Sequence, residues 1–208
     1  MIICYGRRVT TPAAEPKQAR AHATRRRLLD AAVEELLERG YVGLTTPAVA
    51  RRAGVSRGAQ QNYFPHKATL VAEAVRHLAL RQIGELRERV AEVPRGQARV
   101  QAGLDILFEQ YSGPLFAAVV ELCLAARGDP DLRDVINTEE RTIASAMQET
   151  ATVIFGDDFP PTREDARRWA TVLAAIRGLA LMKLLGHPAG AIDRQWAATR
   201  RQLLELLT

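Results

Sequence analysis

Arg57, Gln61 and Asn62 stand together in the stretch GVSRGAQQNYFPHK, residues 54–67. A guanidinium and two side-chain amides are poor acid–base or metal-binding groups. What they share is paired hydrogen bonding, and paired donors suit base edges in a DNA major groove: arginine matches guanine, and amides match adenine. At about 100° per residue, Arg57 and Gln61 fall on one line of a helix, Gly58 and Asn62 on the next, and Ala59 and Tyr63 on a third. Those three lines suit a groove, while Val55, Gln60 and Phe64 turn inward. Gly58 and Ala59 are small enough to let the helix approach closely. Thr45 and Thr46, at the start of the preceding helix, can donate to phosphate, as can Tyr63 and Lys67. Gln60 reads as a half-buried amide bonded to backbone, with base reading as the alternative.

These side chains work only if short elements hold them. Gly54 makes a turn, Ser56 caps a helix and Pro65 stops it near Phe64. Thr45-Thr46-Pro47 starts an earlier helix running to Arg52 or Ala53. Leu44, Val49, Ala50 and Ala53 supply the apolar side of the pair, facing Val55 and Phe64. This is the spacing of a helix-turn-helix over about residues 44–64. Before it, Leu28, Leu29, Ala32, Val33, Leu36 and Leu37 recur at helical spacing from Thr24, and Gly40 closes that run. After it, a long helix runs from Lys67 to about Val93. Further helices follow over roughly 97–112, 114–127, 130–155, 162–186 and 191–207, separated by PRG, SGP, GDP, GDDFPP and HPAG. No alternating strand pattern and no internal repeat occurs, so the predicted fold class is all-α with about nine helices. The expected organisation is a flexible basic arm over 1–21, a DNA-binding domain over 22–68, and a larger helical bundle over 69–208.

Charge supports that division. Residues 1–67 hold 12 Lys/Arg against 5 Asp/Glu, whereas residues 68–208 hold 17 against 19. A basic head on a near-neutral body suggests a polyanion-binding module, a solvated basic tail being the alternative. The two cysteines, Cys4 and Cys123, cannot build a disulfide framework, and a cytoplasmic location is expected. The opening MIICYGRR places its apolar run before its arginines, the reverse of a secretory signal. The most apolar stretch, residues 169–186, is interrupted by Arg177 and Lys183, so no membrane span is expected.

Enzyme chemistry finds little support. The four histidines (His22, His66, His77 and His187) lie at no metal-ligand spacing, and no phosphate loop or nucleophile–histidine–acid set occurs. Asp157-Asp158 reads as a turn and helix-start feature. No cofactor and no metal are expected. The alternatives to a sequence-specific regulator are a non-specific architectural DNA-binding protein and, more remotely, a helical enzyme.

The stretch LTTPAVARRAGVSRGAQQNYFPHKATL resembles the DNA-binding signature of the tetracycline-repressor (TetR) family of bacterial regulators. Thr24-Arg25, Ala31-Ala32, Gly40-Tyr41, Thr45-Thr46, Ala53 to Gly58, Tyr63-Phe64 and Lys67 carry the likeness, over about residues 24–70. The resemblance implies that Thr45 and Thr46 contact phosphate, that Arg57 and Gly58 read bases, that Tyr63 touches DNA, and that Lys67 holds the backbone. Two positions depart from the common pattern. Gln60 replaces an apolar residue, and Gln61 replaces a tyrosine that usually holds phosphate; both bear on which DNA sequence is read.

A head this small reads few base pairs, so useful specificity calls for a homodimer on a palindromic double-stranded operator. The resemblance implies that the last two long helices pair with their symmetry mates. Ala175, Gly178, Met182, Trp196 and Leu203 are the candidate interface residues. Phe108, Tyr111, Phe116, Cys123, Met147 and Trp169 are candidates for a small-molecule pocket suited to a mostly apolar effector, although aromatics at helical spacing also serve as plain core. Cys123 itself reads as a small buried hydrophobe. The expected mechanism is a repressor released from its operator when the effector moves the long fourth helix; activation is the alternative.

Overall fold

The computed structural model describes residues 17–155 and 162–207. These residues form nine helices and no strand: α1 (Lys17–Gly43), α2 (Thr46–Arg52), α3 (Arg57–Tyr63), α4 (Lys67–Ala91), α5 (Gln97–Tyr111), α6 (Pro114–Ala125), α7 (Pro130–Phe155), α8 (Arg163–Leu184) and α9 (Ala189–Leu207). The predicted breaks at Gly54, Pro65 and PRG fall between helices, and SGP and GDP end on the prolines that open α6 and α7. GDDFPP, with Asp157-Asp158, lies outside the described residues.

The head differs from expectation at the start of its first helix. The basic arm was expected over 1–21, but α1 already begins at Lys17; the earlier part of that arm lies outside the described residues. At the other end, Gly40 adopts a φ of 66°, which only glycine takes without strain. The regular run ends there, as expected, and one further turn follows beyond the kink to Gly43. Along α1, Leu37 is 39% exposed and Glu35 is 2% exposed, the reverse of the apolar pattern. The cause is α2. Arg52 lays its Nε 2.9 Å from Glu35 Oε1 and grips Glu38 through both guanidinium ends, at 2.7 and 2.5 Å. Its hydrogen bonds to Glu38 hold that carboxyl below the usual carboxylate range.

Two apolar cores stack along the molecule, with α4 running through both. The first joins α1 and the helix-turn-helix, through Leu28, Leu44, Val49 and Phe64, to the start of α4, to α6 through Leu115 and Leu122, and to Leu132 of α7. The second joins the rest of α4, through Ile83, Leu86 and Val90, to α5, the end of α7, α8 and α9. The head therefore does not fold on a core of its own: α6 closes its underside. Polar ties hold α4 in register. His77 Nε2 lies 2.9 Å from Asp30 on α1, Arg25 pairs with Glu73, and Arg87 donates to Thr150 Oγ1 at 2.9 Å and to the Ala146 carbonyl at 2.7 Å on α7.

Candidate nucleic-acid interface and cavity

The helix-turn-helix is built by caps. Thr45 Oγ1 accepts from the Ala48 amide at 3.4 Å, with Pro47 in the first turn of α2. Gly54, at φ 62°, reverses the chain, and the Val55 amide donates back to the Ala50 carbonyl at 3.0 Å. Ser56 Oγ then accepts from the Ala59 amide at 3.2 Å and starts α3. The far end of α3 is closed twice between the same two residues. The Phe64 amide donates to the Gln60 carbonyl at 2.9 Å, and Gln60 Nε2 donates to the Phe64 carbonyl at 2.8 Å. α3 ends at Tyr63, so the Phe64 carbonyl meets no N–H from a following turn. Gln60 supplies the missing donor. At 4% exposure it is buried rather than half-buried, and it faces the domain.

The opposite face of α3 is open. Arg57, Gly58, Gln61 and Asn62 are exposed, Ala59 and Tyr63 half-buried. A Cβ built at Gly58 meets nothing within 4 Å, which leaves the backbone of the first turn approachable. Thr45 is exposed and Thr46 half-buried, both at the start of α2. Much of the basic excess of the head is consumed internally: Arg25, Arg39 and Arg52 pair with Glu73, Glu35 and the Glu34–Glu35–Glu38 group. Arg57 and Arg51 make no ion pair among the described residues and remain for a ligand.

Lys67 is placed differently from a simple solvated cation. Its Nζ stands 4.5 Å from the centre of the Tyr41 ring, and burial pulls its pKa below the usual lysine value. Tyr41 in turn is anchored from the body: its amide donates to Glu121 Oε2 on α6 at 3.2 Å. The kink at Gly40 permits this. A Cβ at Gly40 would lie 2.5 Å from Glu121 Oε2. Glu121 went unremarked in the sequence, because nothing local ties it to a residue eighty positions earlier.

On the other side of α6 lies a cavity of about 770 Å³, walled by α4 to α8. Of the candidate pocket residues, Tyr111, Phe116, Cys123, Met147 and Trp169 line it. Phe108 does not. Its ring stacks on Trp196 at 4.4 Å, one turn away from the cavity face of α5, and it is core. Cys123 is also corrected, being exposed rather than buried. The buried face of α6 is Leu115, Ala118 and Leu122, which turns Cys123 onto the cavity wall. Partial burial there and the nearby Glu140 push its thiol pKa up, against the pull of Arg177. Two polar residues of the wall, Glu140 and Arg177, were not singled out from sequence.

The candidate pairing residues separate into two sets. Ala175 is half-buried, while Gly178 and Met182 are exposed on α8. Trp196 and Leu203 instead pack inside the protein's own second core. Trp196 Nε1 donates to Asp105 Oδ1 at 2.9 Å, and Arg200 reaches Asp105 Oδ2 at 2.5 Å, pinning α9 to α5. What α8 leaves open is a stripe at three- and four-residue spacing: Ala174, Gly178, Leu181 and Leu185, the last 70% exposed. Leu206 of α9 is exposed as well.

Among the described residues no helix is long and apolar enough to cross a membrane, and no group of three His, Cys, Asp or Glu could hold a metal ion. The sequence profile of the bacterial regulatory proteins of the tetR family matches residues 28–74. The chain is 31% identical over 177 residues to the HTH-type transcriptional regulator CymR of Pseudomonas putida, covering 84% of this chain and 86% of that one. It is 29% identical over 178 residues to the HTH-type transcriptional regulator BetI of Brucella anthropi, covering 84% and 88%. Its fold is similar to that of a TetR-family regulator from Mesorhizobium loti MAFF303099, with a TM-score of 0.69 at 16% identity, covering 92% of this chain and 98% of that one. A family-wide helix-turn-helix signature, full-length similarity to curated regulators and an all-helical architecture agree: the chain belongs to the TetR family of bacterial transcriptional regulators and is a helix-turn-helix DNA-binding protein, not an enzyme.

Proposed function

We propose that this protein is a cytoplasmic, homodimeric repressor released from a palindromic operator by a small, mostly apolar effector. The observation that carries the reading is the position of α6. One of its faces lines the 770 Å³ cavity through Phe116 and Cys123, while Glu121, on the same helix, accepts from the Tyr41 amide in the head. Cavities of this volume, with mostly apolar walls, suit drug-sized ligands. A ligand that displaces α6 pulls on the kinked end of α1, and with it on the Tyr41–Lys67 contact at the start of α4. Two heads on a dimer must sit about one DNA turn, roughly 34 Å, apart. Moving α1 and α4 spoils that spacing, a coupling typically worth about 1–3 kcal/mol.

Within this scheme residues 22–68 are the DNA-binding domain and 69–208 the effector and dimerisation domain, α4 serving both. Arg57, Gly58, Gln61 and Asn62 read bases; Thr45, Thr46, Tyr63 and Lys67 hold phosphates. Pairing uses the exposed α8 stripe of Ala174, Gly178, Leu181 and Leu185 rather than Trp196 and Leu203. Its apolar character supports this, because water-exposed leucines in a row mark an interaction surface.

Binding to the intergenic DNA beside the protein's own gene, measured against random DNA at the same stated salt, tests the reading. A footprint with two half-sites about one turn apart is the expected result. A specificity ratio near one would instead favour a non-specific architectural role.

A further inference from the structure

Arg177 is the unusual residue of the cavity. The cavity face of α8 runs Ala166, Trp169, Ala170, Leu173 and then Arg177, at helical spacing, so an apolar wall ends on a guanidinium. This line is distinct from the exposed Ala174–Gly178–Leu181 stripe on the same helix. Two contacts fix the guanidinium. Its Nη2 donates to Tyr111 Oη at 3.2 Å, and its Cζ stands 5.4 Å from the Tyr111 ring centre. Both contacts are to one neutral residue. Among the described residues no carboxylate pairs with Arg177, and its remaining N–H donors keep the fork geometry that matches a carboxylate.

The other charged groups of the wall do not cancel it. Glu139 is taken by Arg76, at 2.5 Å. Glu140, exposed on α7, is the remaining carboxylate of the lining. Arg127, at the end of α6, adds a second cation to the lining. The wall therefore carries more unpaired positive than negative charge, and Arg177, itself exposed, stands at the end of an apolar trough.

Resting on the reading of this cavity as the effector site, we propose that the effector is an amphipathic carboxylate. Its apolar body lies against Phe116, Val119, Leu173 and Trp169, and its carboxylate takes the free donors of Arg177. Tyr111 is the positioning residue that presents them. An apolar site alone discriminates poorly between head groups; a preset guanidinium selects the anion.

Calorimetric titration of the full chain with decanoate, 1-decanol and decyltrimethylammonium tests this. Decanoate should bind about tenfold more tightly than 1-decanol, the equivalent of about 1.4 kcal/mol. In Arg177→Gln, with unchanged circular dichroism, that gap should close while 1-decanol binds as before; Arg177→Lys should keep part of it. A wild-type protein that prefers decyltrimethylammonium, or binds decanoate and 1-decanol equally, overturns the proposal and leaves the cavity as an effector site. So does an Arg177→Gln protein that retains the full gap. If none of the three binds or shields Cys123 from alkylation, the effector reading of the cavity falls along with the proposal.

Discussion

Replacing Gln60 separates packing from DNA reading more cleanly than any other substitution in the head. Its side chain is 4% exposed and donates at 2.8 Å to the buried carbonyl of Phe64, which lies past the last turn of α3. In Gln60→Ala that carbonyl loses its donor inside the protein, at a cost of about 1–3 kcal/mol. The missing methylene removes about 0.8 kcal/mol of burial. A total near 3 kcal/mol lowers Tm by about 6–12 °C in a chain of this size. Gln60→Leu keeps the volume and loses only the donor, so roughly half that fall is expected. Differential scanning calorimetry at matched protein concentration reads both, the match being needed because a dimer's Tm depends on concentration. Selection of preferred sites from random DNA should return the same half-site for wild type and Gln60→Leu. A Tm fall below about 2 °C in Gln60→Ala, or an altered base preference in Gln60→Leu, would refute the assignment of Gln60 to the domain interior.

The other expectations concern reading, coupling and access. Arg57→Ala should relax preference at one base pair per half-site by about 1–3 kcal/mol in a binding-site selection, whereas Lys67→Ala should weaken all DNA about equally and reduce the salt slope by about one. Glu121→Ala removes the acceptor of the Tyr41 amide; DNA affinity without ligand should change little, and the ligand-induced loss of affinity in a mobility-shift titration should shrink by about 1 kcal/mol or more, with ligand affinity retained. Leu185→Glu puts a charge on the open α8 stripe, and sedimentation should then show monomers at concentrations where the wild type pairs. In a Cys4→Ser background Cys123 should react with iodoacetamide more slowly at neutral pH than a free thiol. Partial burial and Glu140 hold its pKa up, so reaction should accelerate as pH rises past the ordinary thiol range and slow when the cavity is filled.

What could be read in advance follows from range. Caps, turns and stops act over four residues, so Thr45, Gly54, Ser56 and Pro65 announced α2 and α3 from sequence. Helical phase likewise placed Arg57, Gln61 and Asn62 on the open side of α3 and Phe64 on the closed side. Phase fails where a helix is apolar on every side. In α6, PLFAAVVELCLA, nothing in the pattern tells that Leu122 is buried while Cys123 is exposed. Nor does it tell a face that meets the chain's own core from one left for a partner, and Trp196 and Leu203 fell on the wrong side of that choice. Glu35 broke the pattern outright, because Arg52, seventeen residues on, brings it an opposite charge.

The sequence by itself determined the helix count, the caps of the helix-turn-helix and the exposed face of α3, since each depends on bonds and spacings within a few residues. Tertiary structure decided that Gln60 finds the orphaned Phe64 carbonyl, that Glu121 reaches Tyr41 across eighty positions, and that Arg177 ends an apolar trough without a carboxylate. Those contacts join residues far apart in the chain, and only the packing of one helix on another sets their distances.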